Sequence, residues 1–190
     1  MADDEQMRED LSYVRSALDS ARAERNPAII YFLWAAISFF GFAIIDYAPE
    51  RTGFYWMIMG PLGGILSGLL GARASRALGQ DSRREGRLQG LHWSGMMVAI
   101  LLLIPLIATG AVSEAELPRI ILLLVALSYY LAGVHVDRRL LWVGAAVGGC
   151  YLFTVYQRDL PRLWTITAVA LAASLAAAGI VAAARLRREA

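Results

Sequence analysis

Long apolar runs alternate with short charged clusters along the whole sequence. A helix needs about 20 residues to cross a hydrocarbon layer about 30 Å thick. Six of the runs reach this length or come close to it. The pattern therefore predicts six membrane-spanning helices, which are Ala28–Tyr47, Phe54–Ala72, Leu91–Gly110, Leu117–Val136, Leu140–Tyr156 and Leu163–Ala184.

Signals at the ends of the runs extend two of these helices beyond the membrane. Ser82 and Glu85 have the spacing of a capping box, so we expect the third helix to begin well before its apolar run. Gly79 fits the end of an extended second helix. Pro61 lies inside that second helix, where its ring is expected to cause a kink or to leave a carbonyl unpaired.

The composition agrees with an all-α, polytopic membrane protein. Hydrophobic residues make up 58% of the chain and charged residues only 18%, whereas the surface of a soluble domain needs more charge. We expect one six-helix transmembrane bundle at residues 27–185. A short amphipathic cytoplasmic helix at 1–26 precedes it, and a short basic tail at 186–190 follows. The first residues are acidic, unlike a secretory signal, so the first apolar run is expected to remain as an anchor.

The arginines predict the orientation of the chain in the membrane. All 18 basic residues are arginine, and fourteen of them fall in the segments that share a side with the N-terminus, which are 1–27, 73–90, 137–139 and 185–190. Cytoplasmic loops carry the excess of basic residues in membrane proteins. Both termini are therefore expected in the cytoplasm, in a multi-pass protein of the bacterial-type inner membrane.

The arginine-rich loop at 73–87 has two interpretations. A nucleic-acid patch is one, but such surfaces interleave aromatic residues with the basic ones, and this loop contains none. Contact with anionic lipid headgroups is the other, and it fits a loop that faces the cytoplasmic leaflet. We expect the lipid bilayer as a partner here and no nucleic acid.

Small residues recur at helical spacing in the second apolar run, in the manner of a glycine zipper. They form two adjacent stripes, Gly60, Gly64, Gly68 and Ala72 in one and Gly63, Ser67 and Gly71 in the other. Gly144 and Gly148 repeat the pattern more faintly in the fifth run. Small residues let the backbones of two membrane helices approach closely. The alternatives are packing within the chain, self-association and a mobile joint in a transport path.

Two histidines are the candidates for binding a cofactor. His92 starts the third span and His135 ends the fourth, so an antiparallel hairpin would put both at a similar depth. Two imidazoles at one level can ligate a haem iron, or form half of a metal site. Gly95 and Gly133 would leave room for a flat macrocycle. The alternative is that both are interfacial residues with a polar tip, and then no cofactor and no metal is expected.

The N-terminal segment carries an apolar seam at heptad spacing, formed by Met7, Leu11, Val14, Leu18 and Ala21. Fewer than three heptads make a marginal coiled coil, so the seam is expected to dock on something else. The membrane surface, the cytoplasmic loops of the chain and a second protein are the three alternatives.

No catalytic constellation is legible in the sequence, which lacks HExxH and an activated nucleophile with its base. We expect a non-enzymatic protein that acts through helix–helix association as an accessory, regulatory or sensory membrane subunit. Its partner would be a second copy, or another membrane or cytoplasmic protein. Two alternatives stay open: a small-molecule or ion transporter or channel built from 3+3 inverted halves, and a bis-histidine haem protein.

Overall fold

The computed structural model describes residues 6, 7, 11, 13, 14, 27–77, 83–135 and 137–189. All regular structure in these ranges is helical, and they contain no strand. The helices are α1 (Ala28–Tyr47), α2 (Pro49–Ala77), α3 (Arg83–Leu101), α4 (Ile104–Ala108), α5 (Leu117–His135), α6 (Arg139–Tyr156) and α7 (Leu163–Glu189).

Six helical segments in the described ranges are long and apolar enough to cross a membrane, with α3 and α4 together making the third. The prediction of an all-helical chain with six such segments is confirmed. The helix ends differ in places. Helix α2 begins at Pro49 rather than Phe54 and runs without interruption past Pro61 to Ala77, so Pro61 does not end the helix. Helix α3 begins at Arg83, directly after Ser82; Ser82 and Gly79 lie outside the described residues.

Pro105 breaks the third span between α3 and α4. Proline has no N–H to donate to Leu101, and its ring collides with that carbonyl. The chain responds with a tighter turn, in which Leu103 N donates to Ile100 O at 3.1 Å. The reversal toward α5 follows at Gly110, whose φ of 71° is a left-handed conformation that glycine adopts readily.

Four of the helices supply the core. The most extensive contacts are those of α1 with α7 and of α5 with α6, and α6 also packs against α7. Helix α2 packs on α1 and α3 packs on α5. In the most apolar windows of α2 and of the third span only 6% of residues are buried, against 28–33% in the other four segments. The two helices therefore lie at the edges of a four-helix core.

Glycines bring α5 and α6 into backbone contact. A Cβ at Gly144 would lie 2.6 Å from Tyr130 N and 3.1 Å from Ala126 O. A Cβ at Gly133 would overlap the backbone of Leu141 in the same way. Only residues without a side chain fit these positions, and the close approach gains dispersion contacts and weak Cα–H hydrogen bonds. Here the small residues serve packing within the chain.

We predict that Gly144→Leu destabilises the fold by about 3 kcal/mol, because the new side chain meets backbone atoms that cannot rotate away. Thermal unfolding in mild detergent measures the effect. Gly148→Leu on the same helix is the matched control, since nothing lies within 4 Å of a Cβ at Gly148. Equal unfolding temperatures for the two variants would contradict the packing described.

Candidate functional site

One small-residue stripe of α2 packs against α1. A Cβ at Gly63 would lie 2.7 Å from Ile37 Cδ1 and 3.3 Å from the Trp34 ring. The Trp34 indole Nε1 donates a hydrogen bond to Ser67 Oγ at 3.0 Å. Tyr55 adds a second tie, since its hydroxyl donates to Ile37 O at 2.8 Å. Gly63 and Ser67 of this stripe are therefore in contact with α1, whereas a Cβ at Gly71, its third member, would meet nothing within 4 Å.

The other stripe of α2 faces away from the core. At Gly60, Gly64 and Gly68 a Cβ would meet nothing within 4 Å. Gly64, Gly68 and Ala72 are exposed. Large exposed apolar side chains stand elsewhere on the same helix; they include Met57, Ile58, Leu62, Ile65 and Leu69. The result is a smooth track within an apolar helix surface, which we call the glycine track: Gly60, Gly64, Gly68 and Ala72.

The structure does not bring the two histidines to one level. His92 Nε2 lies 3.0 Å from Ser128 O, and only a protonated nitrogen can make this hydrogen bond. Ser128 precedes His135 by two helical turns, about 10 Å along α5. His135 is exposed. Binding of haem between the two imidazoles stays a prediction, and it requires α3 to shift along α5.

Of the two glycines expected to leave room for a macrocycle, only Gly95 has open space beside it. Gly133 packs against the backbone of Leu141 in α6 rather than facing α3, while a Cβ at Gly95 would meet nothing within 4 Å. Beside His92, the Trp93 ring packs edge-on against Tyr129 at a centroid distance of 5.4 Å. Within the described ranges, no group of three His, Cys, Asp or Glu side chains is placed to hold a metal ion.

Asp46, at the end of α1, caps the start of α7. One of its carboxylate oxygens accepts hydrogen bonds from Thr165 N at 2.6 Å and from Thr165 Oγ1 at 2.8 Å. The other accepts from Trp164 N at 3.3 Å. The first N–H groups of a helix have no partner within it, and a negative charge there is favourable. The carboxylate thus links the end of α1 to the start of α7 through hydrogen bonds.

A partly buried arginine joins three helices at the same end of the core. Arg119 Nε donates to Thr154 O at 3.0 Å, and its Nη1 donates to Glu116 Oε1 at 2.9 Å. The guanidinium carbon lies 5.7 Å from the centre of the Trp164 ring. Only 11% of the Arg119 side chain is exposed, so this contact is a packed one. Arg158 pairs with the same Glu116 oxygen at 3.2 Å.

A second polar cluster lies at the opposite end of the core. The Tyr31 hydroxyl donates to Asp137 Oδ2 at 2.8 Å, and Arg139 N donates to Asp137 Oδ1 at 3.0 Å. Tyr31 is 4% exposed. Asp137 therefore caps α6 and ties the turn before it to the start of α1. The Nη1 of Arg139 is buried with no hydrogen-bond partner among the described residues.

The described part of the N-terminal seam is helical and exposed. Met7, Leu11 and Val14 are 61%, 62% and 52% exposed. Leu18 and Ala21 lie outside the described residues. Docking of this seam stays a prediction.

We predict that Asp46→Ala lowers the free energy of unfolding by about 1–2 kcal/mol, because Trp164 and Thr165 lose the acceptor for their N–H groups. The unfolding temperature in detergent should fall by roughly 3–6 °C. Asp46→Asn should recover most of this loss, since asparagine also caps helices. Asp159→Ala, at an exposed position in the turn before α7, is the control. An Asp46→Ala protein as stable as this control would refute the capping role.

No family model, curated protein or solved structure matches this chain. Its function therefore has to be argued from its own contacts.

Proposed function

We propose that this protein is a non-enzymatic membrane subunit that works by docking a transmembrane helix of a second chain on the glycine track of α2. Its role would be accessory, regulatory or sensory. The observation that carries the proposal is the division of α2, whose Gly63 side is filled by Trp34 and Ile37 while the glycine track stays open.

In a bilayer, an open track of small residues favours the docking of another helix. Lipid tails are as apolar as leucine, so membrane helices gain little from burying leucine against each other, and they associate where small residues permit close packing. Glycine also costs about 1 kcal/mol relative to alanine in a helix interior. A helix surface that only meets lipid has no need of three glycines in register. A partner backbone in van der Waals contact offsets that cost.

A second copy of this chain is the partner that the proposal names first. Its own α2 offers a matching smooth surface, and a two-fold axis would bring the two tracks together. Only 6% of the most apolar window of α2 is buried in the single chain. A dimer would cover more of that helix without disturbing its contact with α1.

Polar groups inside the core support a role other than transport. Three of the hydroxyls within the spans donate to carbonyls of their own helix: Thr154 to Tyr151 O, Thr167 to Leu163 O and Ser174 to Leu171 O. Substrate paths expose polar groups toward a cavity, and these three hydroxyls are turned to their own backbone. The remaining charged clusters lie at the two ends of the core.

The proposed orientation has both termini in the cytoplasm of a bacterial-type inner membrane. Its support is the arginine distribution along the sequence, with Arg73, Arg76, Arg138 and Arg139 near one end of the core. The Asp46 end would then face the opposite side.

We predict that Gly64→Ile weakens self-association at least tenfold while the single chain still folds, because nothing lies within 4 Å of a Cβ at this position. A tenfold weaker association corresponds to a loss of about 1.4 kcal/mol of binding free energy. Native mass spectrometry over a dilution series in mild detergent measures it, with dilution-dependent energy transfer between labelled chains in vesicles as the check in a bilayer.

Gly149→Ile is the matched control, since it makes the same substitution at an open and exposed glycine of α6. It should associate like the unmodified chain. A wild-type protein that stays monomeric at every concentration and brings no other protein through purification would overturn the proposal. So would a Gly64→Ile protein that assembles normally.

A further inference from the structure

We propose that the groove between the start of α1 and the end of α2 binds one anionic phospholipid, whose phosphate is held by Arg73 and Arg76. The aliphatic wall of the groove lies on a different side of α2 from Gly64 and Gly68, while Arg76 follows Ala72 of the glycine track by about one helical turn. The inference does not depend on the proposed association. Gly68 and Leu70 are two positions apart on the helix and so point in different directions.

The groove has a volume and a lining that suit part of an acyl chain and a phosphate group. Its volume is about 400 Å³, within the range of ligand sites in proteins. Helix α1 contributes Ile29 and Leu33 to its walls, and α2 contributes aliphatic side chains that include Leu66 and Leu70. The two arginines lie at the end of α2 where its apolar run stops. An acyl chain can therefore lie along the aliphatic part while the headgroup meets the arginines.

Among the described residues, neither Arg73 nor Arg76 is paired with a carboxylate, so both can bind an anion. Arg73 and Arg76 are spaced three residues apart, so their side chains lie on one face of the helix. Arg76 Nε donates to Ala72 O at 3.2 Å within its own helix. In the described ranges no carboxylate pairs with either arginine; the ion pairs found there involve Glu50 and Glu116. The described residues that line the groove include no acidic one.

Location and chemistry together select the ligand. The orientation expected from the arginines puts the end of α2 at the cytoplasmic leaflet, where anionic lipids give a negative surface potential. Basic pockets between transmembrane helices on that side bind phospholipid headgroups. Arginine presents a planar fork of donors that matches two oxygens of a phosphate. A lipid supplies both the phosphate and the apolar chain, whereas a free phosphate would leave the aliphatic walls unused.

The acidic N-terminal segment is the competing occupant, since it has an apolar seam and carboxylates. The described seam residues Met7, Leu11 and Val14 are more than half exposed, which is not the state of side chains seated in a groove. The walls formed by Leu66 and Leu70 also belong to an apolar run expected within the bilayer. A lipid already lies at that depth, whereas the N-terminal segment would have to cross the membrane interface to reach it.

The test is lipid binding to the full-length protein in mild detergent, followed by native mass spectrometry with added phosphatidylglycerol or phosphatidylcholine. We expect one tightly retained phosphatidylglycerol per chain. The double variant Arg73→Gln/Arg76→Gln should bind it at least tenfold more weakly, with phosphatidylcholine binding unchanged. Leu66→Trp, which fills the groove and keeps both arginines, should weaken phosphatidylglycerol binding as well.

The control is Arg87→Gln/Arg138→Gln, which removes two exposed arginines near the same end of the helix core but outside the groove. It should lose less than threefold in affinity. Unfolding temperatures without added lipid verify that each variant is folded.

Three results would overturn the proposal. An equal loss in the control variant would show general charge attraction. Competition by glycerol phosphate as strong as by the lipid would show a phosphate site without a role for the acyl chain. Complete disulfide trapping between Leu11→Cys and Leu70→Cys in the full-length chain would seat the N-terminal segment in the groove.

Discussion

The contact between the first and last membrane helices is the one on which the rest of the structure depends. Helices α1 and α7 are far apart in sequence, and their pairing closes the core to which the α5–α6 pair and α2 attach. Asp46 fixes the register of this pair, because its carboxylate is bonded to Thr165, 119 residues later. Tyr31 and Asp137 hold the other end of α1. A helix tied at both ends cannot slide, so its neighbours meet a defined surface.

The length of the apolar runs made the six helices predictable, because the thickness of a bilayer imposes it on each segment separately. Contacts between segments were not predictable in the same way. The sequence shows two glycine stripes on α2, yet only the position of Trp34 decides that Gly63 is the inward one. Arg119 contacts Thr154 and Trp164, which lie 35 and 45 positions later in the sequence, and only 11% of its side chain is exposed. Their separation along the chain hides such pairs from local patterns.

The relative depth of His92 and His135 depends on features of the chain between them that a sequence pattern does not show. The expectation of equal depth placed the reversal of the chain midway between His92 and His135. In the structure the turn between α4 and α5 spans residues 109–116, and His92 lies level with Ser128. The break at Pro105 and the left-handed residue Gly110 lie between the two histidines, and a count of residues takes no account of either.

The different positions of the core and edge helices explain why both proposed binding surfaces lie on α2. In the core helix α6, Gly144 packs against the backbone of α5 and is therefore unavailable to any partner. Helix α2 needs only one side to stay attached to α1, through Gly63, Ser67 and Tyr55. Its two flanks then remain, one smooth and one apolar with arginines at its end. Because the attachment leaves both flanks uncovered, the proposed protein helix and the proposed phospholipid would use different residues of α2.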